Sequence, residues 1–321
     1  MRLRNTLLLA GIFILLSAYV YFFEIQKDRE KSERLLKFKA DEVDGIVLNY
    51  PQQEIRLKKE PAGKWRITQP LQVAADESAI QSILATLNAS EILRTVEQKP
   101  GPDDLRAFGL DQPSVELSLT LKNGITLPSI FVGSRTPFGN AAYIKRGREP
   151  SVLLTSASLR SSLEKKLNDF RDKEILPFAR DQVAKLQIHT LKESWVLVRG
   201  DEEAWKVEAA NKGKTKQDAV GDYLKALGTL RAKTFVEDQP KDLKKYGLEP
   251  PSVKISLHAK DGKPLGALLL GGKTGADYYA KRDGEPTVYT IEEFSYKQID
   301  KRPTDFLEEE RKESPPSGTK K

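Results

Sequence analysis

A stretch of sixteen residues occurs twice in this chain of 321 residues, and this repeat constrains the fold more than any other feature. The first copy, DLRAFGLDQPSVELSL, begins at Asp104, and the second, DLKKYGLEPPSVKISL, begins at Asp242. Nine of the sixteen positions are identical, which unrelated segments would not reach. A duplicated stretch of this kind indicates either two copies of a site or two copies of a scaffold.

The repeat extends well beyond these sixteen residues, because further matches occur in the same order along the chain. Trp65 corresponds to Trp205, the stretch YIKRGREPSV to YAKRDGEPTV, and Asp169-Phe170 to Asp305-Phe306. Self-similarity over such a length is typical of a tandem duplication of a whole domain. We therefore predict two homologous units at residues 39–172 and 173–307.

The pattern of apolar residues changes period within each copy. Alternating runs such as Ile55 and Leu57 predict strands, whereas the segment after Asp76 places apolar residues on one helical face with Asp76 as N-cap. Asn123-Gly124 and Asp261-Gly262 are typical of hairpin turns. We expect a closing helix in LRSSLEKKL and in IEEFSYKQI, the second opened by a capping box of Thr290 and Glu293. The predicted fold class is α+β: two tandem homologous units of antiparallel sheet plus helices, after one N-terminal transmembrane helix.

The repeated letters themselves are those that a backbone requires. Gly109 is expected to take the left-handed position that ends a short helical turn, so that Leu110 folds back on Leu105 in a Schellman motif. Pro113 then prevents helical continuation. Gly247 is expected to do the same in the second copy. A structural role is thus favoured over a duplicated reaction site.

The N-terminal residues 1–24 predict a membrane anchor. Residues 5–23 carry no charge and, at about 1.5 Å per residue, approach the bilayer core of about 30 Å. A cleaved signal peptide is the alternative, but no small-x-small site follows the stretch. Arg2 and Arg4 place the N-terminus in the cytoplasm by the positive-inside rule. We expect a single-pass protein of a bacterial inner membrane with a periplasmic body, a charged helical stalk at 25–38 and a disordered tail at 308–321.

The sequence offers little catalytic chemistry. The net charge is +7, but 53 basic residues are interleaved with 46 acidic ones, which disfavours nucleic acid as a partner. Gly272-Lys273-Thr274 resembles the end of a P-loop, but Ala267 stands where that motif needs glycine, so no nucleotide is expected. The chain has no cysteine, and His189 and His258 have no ligand at metal spacing. We predict no catalytic residue, no cofactor and no metal, hence no enzyme; a hydrolase with dispersed carboxylates is kept as a third hypothesis.

Two sets of polar residues remain as candidate ligand or partner contacts. They follow equivalent strands in the two copies and would form paired cationic loops that bind a carboxylate or phosphate. Hairpin turns with solvated bases are the alternative. Three tryptophans could form a sugar-stacking platform or pack in the core. The candidate contacts are Arg135, Thr136 and Lys145 in the first copy and Lys273, Thr274 and Lys281 in the second, and the tryptophans are Trp65, Trp195 and Trp205.

Taken together, the N-terminal stretch and the segments KWRITQPLQVAAD, DLRAFGLDQPSVELSL, VGSRTPFGNAAYIK and LNDFRDKEIL resemble the bacterial domain of unknown function 4340 family. The resemblance covers nearly everything after residue 24. It implies a neighbourhood with ABC-type exporter subunits and an auxiliary component of gliding motility, and it supplies no catalytic residue. We expect a non-enzymatic, membrane-anchored periplasmic protein that serves as an accessory or partner-binding subunit of an ABC-type envelope transport or gliding-type complex. A periplasmic ligand-binding module for glycan or lipid headgroups is the alternative.

Overall fold

The computed structural model of the chain describes residues 13–17, 19, 33–200, 202–208 and 213–308. The chain divides into two compact units between Asp172 and Lys173. Each unit has its own large cluster of buried apolar side chains. The predicted α+β class with two tandem antiparallel units is confirmed.

Unit 1 contains three helices and eleven strands within the described residues. The helices are α1 (Glu77–Ala89), α2 (Pro102–Ala107) and α3 (Ala157–Leu163). The strands are β1 (Glu33–Arg34), β2 (Val43–Tyr50), β3 (Gln53–Lys59), β4 (Trp65–Gln69), β5 (Val73–Ala74), β6 (Glu91–Ile92), β7 (Arg94–Glu97), β8 (Val115–Leu121), β9 (Ile130–Arg135), β10 (Ala141–Arg146) and β11 (Val152–Ser156).

Nine of these strands form one antiparallel sheet in the order β5-β4-β3-β2-β8-β9-β10-β11-β7, and β1 pairs with β6. Helices α1 and α3 pack on one face of the sheet and contribute to the same core as the strands. Asp76 caps α1 as predicted, since the Ala79 amide donates to Asp76 Oδ1 over 3.0 Å. The predicted apolar face of α1 is buried, and it consists of Ile80, Ile83, Leu84 and Leu87.

Unit 2 repeats this arrangement. Its helices are α4 (Gln217–Gly228) and α5 (Glu293–Ile299). Its strands are β12 (Lys185–Thr190), β13 (Ser194–Arg199), β14 (Trp205–Val207), β15 (Thr234–Glu237), β16 (Val253–His258), β17 (Pro264–Thr274), β18 (Asp277–Arg282) and β19 (Val288–Glu292). In the described part of the unit they form one sheet in the order β14-β13-β12-β16-β17-β18-β19-β15.

The sixteen-residue repeat has the predicted backbone in both units. Gly109 and Gly247 each have φ of 65°. The Leu110 amide donates to Leu105 O over 2.8 Å, and the Gly109 amide donates to Arg106 O over 3.0 Å. These two bonds are those of a Schellman motif. In unit 2 the Leu248 amide donates to Leu243 O over 3.1 Å, so the motif is confirmed twice.

A second glycine in each unit lets the Schellman motif pack directly against the sheet. Gly133 in β9 lies against the end of α2, where an added Cβ would overlap Phe108 O and approach Leu110 Cγ to 2.9 Å. Gly271 in β17 lies in the same way against Tyr246 O. Each helical turn therefore docks on its own sheet through backbone contact. Side chains would hold the two apart.

Unit 1 includes residues before position 39, where the sequence interpretation placed its start, whereas unit 2 begins at Lys173. Leu35 and Leu36 are buried in the core of unit 1, and the Leu35 amide donates to Ser90 O over 2.9 Å. Ile175 and Leu176 are buried equivalently in unit 2. Residues 33–38, which we assigned to a charged helical stalk, thus belong to unit 1, because their apolar side chains fill its core.

Two predicted helix details are wrong. Thr290 does not open the closing helix of unit 2: it lies in β19, where its hydroxyl bonds Thr234, and the N-cap of α5 is Glu292. Helix α3 ends at Leu163 and not at Leu167. Pairing with β15 and β18 extends β19 through Thr290, further toward the helix than the local pattern indicated.

The two ends of the chain are described only in part. Residues 13–17 and 19 are helical with exposed side chains, and the rest of the predicted anchor at 1–24 and the stalk residues 25–32 lie outside the described residues. Among the described residues, no helix is both long and apolar enough to cross a membrane. Glu308 belongs to unit 2, where its amide donates to Lys214 O over 2.8 Å, and residues 309–321 of the predicted tail are not described.

Candidate functional site

The first pair of candidate bases lies where β9 and β17 approach the closing helices. Arg135 Nη2 donates to Ser161 Oγ over 3.0 Å and to Glu164 Oε2 over 3.1 Å. Lys273 Nζ donates to Glu293 Oε1 over 3.3 Å. Each base is therefore ion-paired with α3 or α5 of its own unit, although the two acids do not occupy equivalent positions in the repeat.

These ion pairs set the protonation of the acids. Arg160, which donates to Glu164 over 2.6 Å, is the main cause that lowers the pKa of Glu164, and Arg135 adds to it. The pKa of Glu293 is lowered by Lys273 first and Lys297 second. Each closing helix thus carries a charged carboxylate that neutralises the neighbouring base at neutral pH.

The two candidate threonines shape hairpin loops. The Thr136 amide donates to Ala141 O over 2.9 Å, and its hydroxyl donates to the same oxygen over 3.3 Å. Thr274 pairs with Asp277 at the tight β17–β18 turn. Both residues hold a turn closed across the hairpin that follows the base.

Lys145 and Lys281 lie on the opposite face of each sheet. Their neighbours Ile144 and Ala280 point into the cores. Lys145 Nζ lies 6.0 Å from the centroid of the Phe131 ring, a distance at the limit of a cation–π contact. Lys281 is 8% exposed, and its Nζ donates to Arg282 O over 3.2 Å.

The six candidate residues therefore do not converge. In each unit the sheet separates the strand-end base from the second lysine, because adjacent residues of a strand point to opposite faces. The two bases of one unit are therefore not positioned to bind the same anion.

The tryptophans and histidines also have structural places. All three tryptophans are buried in the cores, which agrees with core packing and not with a sugar-stacking platform. His189 is exposed in β12, whereas His258 is half-buried in β16. Within the described residues, no three His, Cys, Asp or Glu side chains are placed to hold a metal ion. The Gly272-Lys273-Thr274 segment lies in β17.

Exposed aromatic side chains are the feature that sequence reasoning missed. Phe138, at the tip of the β9–β10 hairpin, is 92% exposed, and Phe294, in the first turn of α5, is 70% exposed. The Ala157 amide of α3 donates to Asn140 O over 3.1 Å, which fixes the hairpin tip beside the first turn of α3. The two phenylalanines therefore occupy the same corner of each unit, one supplied by the hairpin and one by the helix. We call this feature the aromatic corner.

Both units match the same known protein family. A family model described as "Domain of unknown function (DUF4340)" matches residues 65–218 and 205–316, which together span well over half of the chain. The chain belongs to the DUF4340 family. No curated protein and no solved structure matches the chain at a significant level.

The two DUF4340 segments start at Trp65 and Trp205, which are equivalent positions of the repeat. The first segment crosses the boundary between Asp172 and Lys173, so the boundaries of the family matches differ from those of the compact units. The repeat inferred from the sequence is thereby supported by an independent match.

Each DUF4340 unit also has a cleft beside the C-terminal end of its closing helix. In unit 1 the cleft is about 640 Å³ and is bounded by Tyr50, the turn after it and residues 165–168. In unit 2 it is about 360 Å³ and lies between α4 and the segment after α5. No sequence pattern indicated either cleft, because their walls come from segments that are distant along the chain.

Proposed function

We propose that this protein is a non-enzymatic, membrane-anchored periplasmic subunit that binds a membrane-protein partner, and that the partner is an ABC-type envelope transport or gliding-type complex. The apolar N-terminal stretch supports the anchor, and the family resemblance supports the class of partner. The aromatic corner is the observation that carries the binding role.

An exposed phenylalanine at a hairpin tip is unfavourable in water and adds nothing to the core. Truncating Phe138 would remove little packing, because 92% of the side chain is exposed. Aromatic side chains with this exposure often become the anchors of an interface, where they fill an apolar pocket of the partner. Phe294 occupies the equivalent corner of unit 2 although its hairpin lacks the Pro-Phe-Gly sequence of unit 1.

The polar groups around the corner of unit 1 are already satisfied. Arg135 donates to both Ser161 and Glu164, and Thr136 closes the hairpin. A partner that covers this corner therefore gains apolar contact without leaving these charges unpaired, which favours binding.

The test is recovery of partners from native membranes. The tagged full-length protein is crosslinked in cells, purified in mild detergent and analysed by mass spectrometry beside a version that contains only the N-terminal anchor. We expect subunits of a transport or envelope complex with the full chain and not with the anchor alone. Full association by the anchor alone would overturn the proposal.

The aromatic corner is tested by the double variant Phe138→Ala/Phe294→Ala. A matched control, Ile125→Ala/Leu191→Ala, removes one exposed apolar side chain from each unit away from the corner; these residues are 55% and 68% exposed. We expect the corner variant to lose at least tenfold in partner recovery, since interface anchors contribute about 2 kcal/mol or more. Equal recovery of both variants would refute a role for the corner.

A further inference from the structure

The same carbonyl accepts a tyrosine hydroxyl in both units, but the tyrosine comes from different elements. Tyr50 at the end of β2 donates to Leu163 O over 2.8 Å. Tyr223 in α4 donates to Ile299 O over 3.0 Å. Leu163 and Ile299 are equivalent ends of the closing helices. In each unit one tyrosine hydroxyl thus forms a hydrogen bond to the end of the closing helix. The same tyrosine lines the cleft described above.

The charges that line the two clefts differ. In unit 1 the charged side chains of the lining are Lys165 and Lys166, and no carboxylate lines it. In unit 2 the equivalent of Lys165 is Lys301, which faces a lining that contains the carboxylates of Asp222 and Asp305. The lining of the cleft in unit 1 is therefore positive, whereas that of unit 2 has two carboxylates and one lysine and is negative.

The backbone that carries the two lysines of unit 1 is fixed. The Lys165 amide donates to Leu163 O over 2.9 Å, and the Lys166 amide donates to Asp169 Oδ2 over 2.8 Å. This bond occupies one of the two carboxylate oxygens of Asp169. Within the described ranges neither lysine ammonium forms an ion pair, so both charges are available to a ligand.

The opposite wall supplies further donors. Gln52 lies in the turn after Tyr50 and Gln53 begins β3, and both residues line the same cleft. Asn168 lines it from the lysine side. Two ammonium groups and several amides suit a group that carries nearly two negative charges and several acceptor oxygens, as a phosphate monoester does at neutral pH. A single carboxylate would leave one lysine unmatched.

We infer that the cleft beside Tyr50 in unit 1 binds a phosphate group, held by Lys165 and Lys166 with the amides of Gln52 and Gln53. This site uses none of the bases that the sequence singled out and does not rest on the proposed partner. The phosphate belongs either to a free phosphate ester or to a phospholipid headgroup.

Calorimetric titration of inorganic phosphate into the full-length protein, in a neutral maltoside detergent with ionic strength held by NaCl, tests the site. We expect saturable binding at one site. In Lys165→Gln/Lys166→Gln the affinity should fall at least tenfold. The matched control Lys58→Gln/Lys59→Gln removes an adjacent pair of lysines with the same exposure classes from the same unit, and should change the affinity less than twofold.

No saturable binding to the unchanged protein, or an equal loss in both double variants, would overturn the inference, because the second result would show a diffuse charge effect. Circular dichroism establishes that both variants remain folded.

Competition identifies the source of the phosphate. Soluble dihexanoyl phosphatidylglycerol that displaces phosphate from the unchanged protein, while dihexanoyl phosphatidylcholine does not, supports an anionic headgroup. Failure of both lipids beside intact phosphate binding supports a free phosphate ester. Either result supports the site and leaves the partner experiment unaffected.

Discussion

Units 1 and 2 satisfy the same backbone groups by different means, and the edge of each sheet shows this most clearly. In unit 1 the Ala75 amide donates to Trp65 O over 3.0 Å, and β5 continues the sheet beside β4. In unit 2 the side-chain amide of Gln217 donates to the equivalent Trp205 O over 3.0 Å and accepts from the Trp205 amide over 2.7 Å. A glutamine side chain thus replaces a peptide group.

The clefts and the aromatic corner likewise use different side chains at equivalent places in the two units. The helix end is pinned by Tyr50 in one unit and by Tyr223 in the other, and the exposed aromatic side chain comes from a hairpin or from a helix. What the two units share is backbone geometry and the hydrogen bonds that it requires, whereas surface charge and the source of each side chain differ. The duplicated residues therefore encode a scaffold, and the surfaces of the two units have diverged on it.

The largest expected effect tests whether the repeated glycines perform the same job. Gly133→Ala and Gly271→Ala should each lower the free energy of unfolding of their own unit by about 2–3 kcal/mol, because the added methyl group overlaps a backbone carbonyl. Hydrogen exchange with mass spectrometry measures each unit separately. As a control, Gly221→Ala in α4, where a Cβ meets nothing within 4 Å, should raise stability by up to about 1 kcal/mol. A large loss in only one unit would break the equivalence.

The tyrosine hydrogen bonds should differ in value between the units. Tyr223 is buried, and burial raises its pKa; Tyr50 is half-buried, and burial raises its pKa as well. We expect Tyr223→Phe to cost about 2 kcal/mol and Tyr50→Phe about 1 kcal/mol or less, because water reaches the Leu163 carbonyl more easily. Urea unfolding of each variant measures the loss. Tyr143→Phe, whose hydroxyl has no hydrogen bond to the described residues, should be neutral, and a larger cost for Tyr50 than for Tyr223 would contradict the ranking.

Arg146 should distinguish how the two units hold their first residues. Arg146 Nη1 donates to Glu33 Oε1 over 3.0 Å and to Leu35 O over 3.3 Å, whereas its counterpart Arg282 donates to Glu285. We expect Arg146→Gln to speed amide exchange at residues 33–36 roughly fivefold, equivalent to about 1 kcal/mol. Arg282→Gln should leave residues 173–176 unchanged. Equal responses of the two units would show that Arg146 does not tether this segment.

The smallest expected effect is a change in how the stability of each unit falls at low pH. A lowered carboxylate pKa contributes stability that is present above the ordinary value near 4.5 and is lost as the pH falls through the folded value. Glu164→Gln should therefore flatten the acid side of the stability profile of unit 1 below about pH 5. Glu293→Gln should do the same in unit 2, and less strongly, because one of the partners of Glu293, Lys297, is well exposed. An unchanged acid limb in Glu164→Gln would contradict the assignment.

The interpretation of the sequence was accurate where neighbouring residues decide the structure. The N-cap at Asp76, the two Schellman motifs and the hairpin glycines all follow from φ and ψ preferences and from bonds within a few residues. It was wrong at Thr290, whose capping pattern is overridden by a strand that pairs with β15 and β18.

The candidate site was less accessible to sequence reasoning. Arg135 and Lys273 lie at equivalent strand ends, but their partners Glu164 and Glu293 are not equivalent in the repeat, so the periodicity did not indicate these partners. No sequence pattern indicated that Phe138 is exposed. Its exposure depends on how the hairpin rests against α3.

By itself, the sequence determined the duplication, the α+β class and the turns that divide each unit, since these depend on local conformational preference and on apolar periodicity. The tertiary structure alone shows that residues 33–38 belong to unit 1, that the sheet separates the paired bases, and that Tyr50 meets Leu163 beside Lys165 and Lys166. Those features depend on contacts between segments that are far apart in the chain, which are fixed only when the sheet and its helices close around a common core.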